Sequence, residues 1–152
     1  MPDPIFFSDA SPRYYLPFLF QGQTQKEFIV NEAHARLDTL LHPAVEGEAS
    51  APPVASDEGE CWLVGADATG DWAGHDGEIA SRQPGGWVFV SPRDGMRAFD
   101  KASGQAVLFV GSWRRITPPA NPIGGTTVDA EARTAIGEIV SALQQAGILP
   151  AA

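Results

Sequence analysis

CWLVGADATGDWAGHDGEIASRQPGGWVFVSPRDGMRAFDKASGQAVLFVGSWRRI, residues 61–116, alternates short apolar runs with turn-forming separators. The runs CWLV, EIASR, WVFV, MRAFD, AVLFV and WRRI are rich in β-branched and aromatic residues. The separators GADATGDWAGHDG, QPGG, SPRDG, KASG and GS supply the Gly, Pro, Asp and Ser that set tight turns. Runs divided in this way are expected to pair successively as antiparallel hairpins, giving a small β-meander over 61–116.

Trp62, Trp72, Trp87, Phe89, Phe99, Phe109 and Trp113 all fall in this segment. A small sheet needs large side chains to bury anything, so core packing is their first role. A sharper alternative is a sugar-binding platform, with exposed Trp72 and His75 meeting a polysaccharide beside the local carboxylates. The exposure of Trp72 separates the two readings, because a buried ring offers no face to a sugar.

Outward from the sheet, the pattern changes. In LPFLFQGQTQKEFIVNEAHARLDTLL, residues 16–41, the apolar residues Val30, Ala33, Leu37 and Leu40 repeat at 3-4-3 spacing and line one stripe of a helix. The helical segment is placed at 22–42, with the helix itself from about Gln23 to Leu41, stopped before Pro43. On the C-terminal side, 128–148 reads as a second amphipathic helix with Ala132, Ile136, Ile139, Leu143 and Ala146 on one stripe, Asp129 as N-cap and Gly147 as the stop. Segments 43–60 and 117–127, rich in Pro and without periodicity, read as linkers. Residues 1–21 form an arm and anchor, broken by Pro2, Pro4 and Pro12 yet carrying Ile5, Phe6, Phe7, Tyr14 and Tyr15. The expected fold is therefore α+β: a small antiparallel β-meander flanked by an N-terminal and a C-terminal amphipathic helix, with an extended N-terminal arm. Either helix can pack on the sheet of its own subunit or on copies in an assembly.

With 152 residues and 43% apolar content the chain supports one small core, while 16 Gly and 13 Pro imply much turn and linker. The net charge is −9. Between Arg36 and Arg82 lie ten carboxylates (Asp38, Glu46, Glu48, Asp57, Glu58, Glu60, Asp67, Asp71, Asp76, Glu78) and no Lys or Arg. Such a field repels phosphate backbones, so no nucleic-acid partner is expected. The contrasting stretch Arg93 to Arg115 holds Arg93, Arg97, Lys101, Arg114 and Arg115. Complementary charge of this kind suits pairing with copies of the chain or a second protein, or is simply solvated. The N-terminus lacks the basic and apolar regions of a secretory signal, and no apolar run reaches membrane-spanning length. The chain is expected to be made in the cytoplasm as a soluble chain, without membrane insertion.

Chemistry-bearing patterns are sparse. No Gly-x-Ser-x-Gly, His-Glu-x-x-His, Cys-x-x-Cys or phosphate-loop motif occurs. Cys61, the single cysteine, reads as a small buried hydrophobe. Of His34, His42 and His75, only His75 sits in a dense motif, WAGHDGE, where it can lock the loop through backbone or carboxylate bonds. Asp67, Asp71, Asp76 and Glu78 lack EF-hand spacing and read as a solvated acidic loop. No catalytic residue, cofactor or metal is expected, and the chain is not expected to be an enzyme.

QGQTQKE (21–27), NEA (31–33), ARLD (35–38), TGDWAGHDGEIA (69–80) and PRDGMRA (92–98) together resemble a family of uncharacterised small proteins. Members of that family are encoded in structural clusters of alphaproteobacterial tailed phages, prophages and gene transfer agents. VDAEARTAIGEIVSALQQAGIL (128–149) is similar to a segment common in the same group. The resemblance implies a virion structural protein of head-spike or tail-fibre type, a homo-oligomer attached to capsid, tail or fibre proteins, and no chemical mechanism. On that reading Phe6, Phe7, Leu16, Phe18, Phe20, Val30, Leu37 and Leu40 are the oligomer and particle docking residues. The alternative is a module recognising host surface polysaccharide through Trp72 and His75.

Overall fold

A computed structural model of the chain describes Ala10, Tyr14 and residues 16–20, 22, 24–120, 122–125 and 128–151. The elements run α1 (Lys26–Leu40), β1 (Ala44–Val45), β2 (Glu48–Ala49), β3 (Cys61–Val64), β4 (Ile79–Gln83), β5 (Gly86–Val90), β6 (Arg97–Asp100), β7 (Gln105–Phe109), β8 (Trp113–Arg114) and α2 (Ala130–Gln145). The class is α+β with a helix on either side of the strands, as the sequence implies.

The apolar runs pair as hairpins, β3 with β4, β4 with β5, β6 with β7 and β7 with β8, all antiparallel. The β4–β5 loop is Pro84-Gly85, where proline presets its own φ and Gly85 takes +95° at the position that demands a positive value. The meander does not stay in one layer. It divides at SPRDG (91–95) into two four-stranded sheets, ordered β2-β3-β4-β5 and β1-β6-β7-β8. Folding the second sheet onto the first gives both an apolar face to bury, which one small open sheet cannot do. Val45, Leu63, Ile79, Met96, Ala98 and Val107, drawn from both sheets, form the shared core, with Tyr14, Leu40, Phe109 and Trp113 packed at its edge.

Residues 43–60, expected as a linker, carry β1 and β2. β1 pairs parallel with β6 and β2 pairs parallel with β3. Only Glu46 and Gly47 separate them, so this strap belongs to both sheets at once. Its backbone is bonded on each side: Lys101 N donates to Val45 O at 2.9 Å, and Leu63 N donates to Gly47 O at 2.9 Å. Strands of two residues are too short to show a period, which is why the sequence reads as linker there.

Charge reinforces the strap. Lys101 Nζ lies 2.5 Å from Glu46 Oε1, and Arg115 joins Glu48 Oε2 at 2.7 Å to Asp100 Oδ2 at 2.9 Å. The acidic and basic stretches thus meet in part within one chain. The outer pairs are solvent-screened and contribute little to stability. Asp100 differs, being 2% exposed. Burial works to raise its carboxyl, and the hydrogen bond and positive charge of the Arg115 guanidinium outweigh that and hold it below the usual carboxylate range.

α1 starts at Lys26, because Gln25 has φ 56° and cannot continue a right-handed helix toward Gln23. It packs against β5, with Thr39 its one buried residue. α2 is capped as its sequence implies: Ala132 N donates to the Asp129 carboxylate at 2.8 Å. At its other end Gly147, φ +66°, closes the helix through Gly147 N to Gln144 O and Ile148 N to Leu143 O, both 2.9 Å. The chain beyond is fastened to the sheet by Ala106 N to Gly147 O and Ala151 N to Ser103 O, with Leu149 buried. None of its residues is fully buried: Val140 and Leu143 are half-buried, while Ile136 and Ile139 are 42% and 59% exposed. Neither helix among the described residues is long and apolar enough to cross a membrane.

Arg115→Ala leaves Asp100 buried without its cation and is expected to cost on the order of 3 kcal/mol in urea unfolding. Since the folded-state pKa of Asp100 is lowered, its contribution is complete above the unfolded value of about 3.9 and is lost as pH falls through the folded one. Asp100→Asn should flatten that acid limb of the stability curve; an unchanged limb contradicts the assignment.

Candidate functional site

The densest polar motif, residues 65–78 between β3 and β4, is built by its own backbone. Asp67 takes φ 54°, and the amides of Asp67 and Ala68 both donate to the Asp76 carboxylate at 3.0 Å. A 3-10 turn at Gly70–Trp72 follows. His75 N then donates to Trp72 O and Glu78 N to His75 O, bringing the chain back into β4. Asp76 is therefore a loop-closing residue rather than a free carboxylate, and among the described residues no three His, Cys, Asp or Glu side chains group as ligands for one ion.

Trp72 is 0% exposed, at the centre of a second core cluster with Val64 and Ala80. Its ring meets Trp87 edge to face, centroids 5.1 Å apart at 87°. Stacking of a sugar on Trp72 is excluded, which corrects the expectation of an exposed contact there. The reason lies in the 3-10 turn, which carries the indole inward beneath the loop. Of the two glycan-contact candidates only His75 reaches the surface.

The His75 ring lies flat on Phe89, centroids 3.6 Å apart at 4°. Its Nδ1 is 2.7 Å from Glu78 Oε2, and the Ser91 hydroxyl donates to Glu78 Oε1. The order is hydroxyl, carboxylate, imidazole. Nucleophile activation needs the imidazole in the middle, where it can take the hydroxyl proton. Here the carboxylate is a shared acceptor that ties the loop to the residue after β5, the locking role expected of His75. Glu78 and Ser91 stand between two open cavities, one of about 450 Å³ between the sheets, lined also by Phe109 and Trp113, and one of about 540 Å³ between α1 and β5.

Cys61 is a half-buried free thiol. Burial pushes its thiol up from the ordinary value, so the thiolate is disfavoured at neutral pH.

The docking candidates do not converge on one spot. Leu16, Phe18, Val30 and Leu40 are half-buried, Leu40 against the shared core, while Phe20 and Leu37 are exposed. Phe6 and Phe7 lie outside the described residues. More exposed than these are Phe28 at 65%, Leu41 at 69% and Ile139 at 59%, which the choice of candidates missed.

Residues 30–114 match the model of a family described as "Protein of unknown function (DUF2793)". The chain belongs to this family. The DUF2793 match begins inside α1 and ends with β8, so it takes in both sheets and the strap, while α2 follows outside it. The searched curated proteins give no match. Everything described at His75, Glu78 and Ser91 lies within the DUF2793 segment.

Trp72→Ala should lower stability by about 3–5 kcal/mol, the usual cost of emptying a large buried aromatic site. Trp72→Phe should cost clearly less, because it keeps an aromatic ring in the site. Chemical denaturation of both variants checks this; wild-type stability for Trp72→Ala refutes the packing role.

Proposed function

We propose that the chain is a non-enzymatic structural component of a tailed-phage, prophage or gene-transfer-agent particle. In this reading it is a head-spike or fibre-type attachment protein that assembles with copies of itself and docks on capsid or tail proteins. The observation that carries the reading is the uncovered apolar surface of α2, where Ile136 and Ile139 face solvent although the shared core is complete without them. Exposed Leu19, Phe20 and Phe28 on the N-terminal side add to it. Apolar surface of this extent is characteristic of contact faces.

The motif resemblance, from QGQTQKE to PRDGMRA, supports placing those contacts in a particle. The Ser91–Glu78–His75 order supports a structural rather than a catalytic use of the one dense polar motif. Many copies in a symmetric assembly need only modest contacts each, because multivalency multiplies weak attachments into a firm one.

Mass spectrometry of particles purified from a producing strain is expected to find the chain at a fixed copy number relative to the capsid protein. Its absence from intact particles overturns the assignment. Light scattering on the purified chain at tens of micromolar should give a mass above the 16.1 kDa of one copy; a strict monomer there contradicts self-assembly.

A further inference from the structure

We infer that the open cavity of about 450 Å³ between the two sheets is a binding site for the ammonium end of an aliphatic amine. The inference goes beyond the particle role and does not rest on it. Two rings make one corner of the cavity: Phe109 on β7 and Trp113 on β8 meet edge to face, centroids 5.3 Å apart at 70°. Trp113 is held in place there, because its indole nitrogen donates to Gly77 O at 2.9 Å. Both residues are half-buried, so part of each ring is left to the cavity. The face of an aromatic ring is negative and attracts cations.

The rest of the wall accepts hydrogen bonds and hardly donates them. Glu48, Asp76 and Glu78 line it, spread along the cavity rather than gathered on one point. Arg115 bonds Glu48, two loop amides bond Asp76, and Ser91 and His75 meet Glu78, yet every carboxylate oxygen has a second lone pair to offer. The donors, by contrast, are spent inside the fold. The amides of Gly65, Gly77 and Gly111 go to Ala49 O, Val64 O and the Asp94 carboxylate, each at 2.8 Å. The Ser91 hydroxyl is turned to Glu78. Among the described residues no Lys, Arg, His, Asn or Gln lines the cavity, and the remaining side-chain donor on its wall is the Ser112 hydroxyl.

Such a wall selects among ligand classes. A sugar carries oxygens that need donors from the protein, and these are wanting. A metal ion needs several oxygens around one point, which the spread carboxylates do not supply. An ammonium brings three donors and no acceptor, the complement of this lining. The cavity is also large enough for an alkyl chain to lie along the rings. Glu48, Asp76 and Glu78 belong to the stretch of ten carboxylates without Lys or Arg, and a field of that sign draws cations into the cavity. A free aliphatic amine and the Lys side chain of a partner protein present the same group.

Titration of the full chain with cadaverine, followed by NMR at the Trp113 indole N–H, tests this, with the resonance assigned from Trp113→Phe. A saturable shift is expected, weakening as salt is raised. Pentanediol of the same chain length, with hydroxyls in place of the ammonium groups, should give none. Nα-acetyl-lysine methylamide separates the two sources: a shift like that of cadaverine means that a protein Lys fits, and a response to cadaverine alone means a free amine, either of which supports the site. No shift with either amine at millimolar concentration, or an equal shift with the diol, overturns the inference. Glu48→Gln and Glu78→Gln should each weaken cadaverine binding about tenfold, the scale of a lost hydrogen bond to a charged group. Wild-type affinity in both variants refutes the assignment of the wall. Presence or absence of the chain in purified particles leaves this result untouched.

Discussion

Everything in the molecule hangs on the six residues that place β1 in one sheet and β2 in the other. Because only Glu46 and Gly47 lie between these strands, the two sheets cannot part without breaking parallel ladders on both sides. Gly47 lies against Ala102 and Trp62, so that a Cβ there would meet Ala102 at 3.4 Å, an ordinary contact. The side chains of the strap then add Glu46 to Lys101 and Glu48 to Arg115, and Arg115 in turn neutralises the buried Asp100. Backbone pairing sets the geometry, and the ion pairs stabilise it at the one point where a buried carboxylate makes them matter.

From this constraint the allocation of surfaces follows. The inner faces meet in one core, and the β3–β4 loop folds its tryptophan under itself to close the far side of the first sheet. α1 covers β5. The outer face of the second sheet and the stripe of α2 are what remains, apolar and uncovered. Among the described residues Phe99, Ile116, Ile136, Ile139 and Ile148 stay exposed.

Much of this was legible in the residues. Alternating apolar runs and turn-rich separators located six of the eight strands, because antiparallel hairpins are local and their turns have a chemistry of their own. Asp129 and Gly147 marked the ends of α2 for the same reason. The strap was not legible: parallel pairing is non-local, and two residues carry no period. Nor was the burial of Trp72, which depends on a 3-10 turn among residues that look polar and exposed. The contrast of acidic and basic stretches was plain, but its partial settlement inside one chain depended on where the strap lies. MRAFD did hold a clue to the outer face, since Arg97 and Phe99 alternate with Ala98 and Asp100. The period assigns them to one side without saying which side is covered.

Native-state hydrogen exchange addresses the shared core most directly. If the strap makes the sheets one cooperative unit, the amides of Leu63 and Ala80 in one sheet and of Ala98 and Val107 in the other should exchange with a single free energy equal to that of global unfolding. Two distinct free energies, with one sheet opening while the other stays protected, contradict the account.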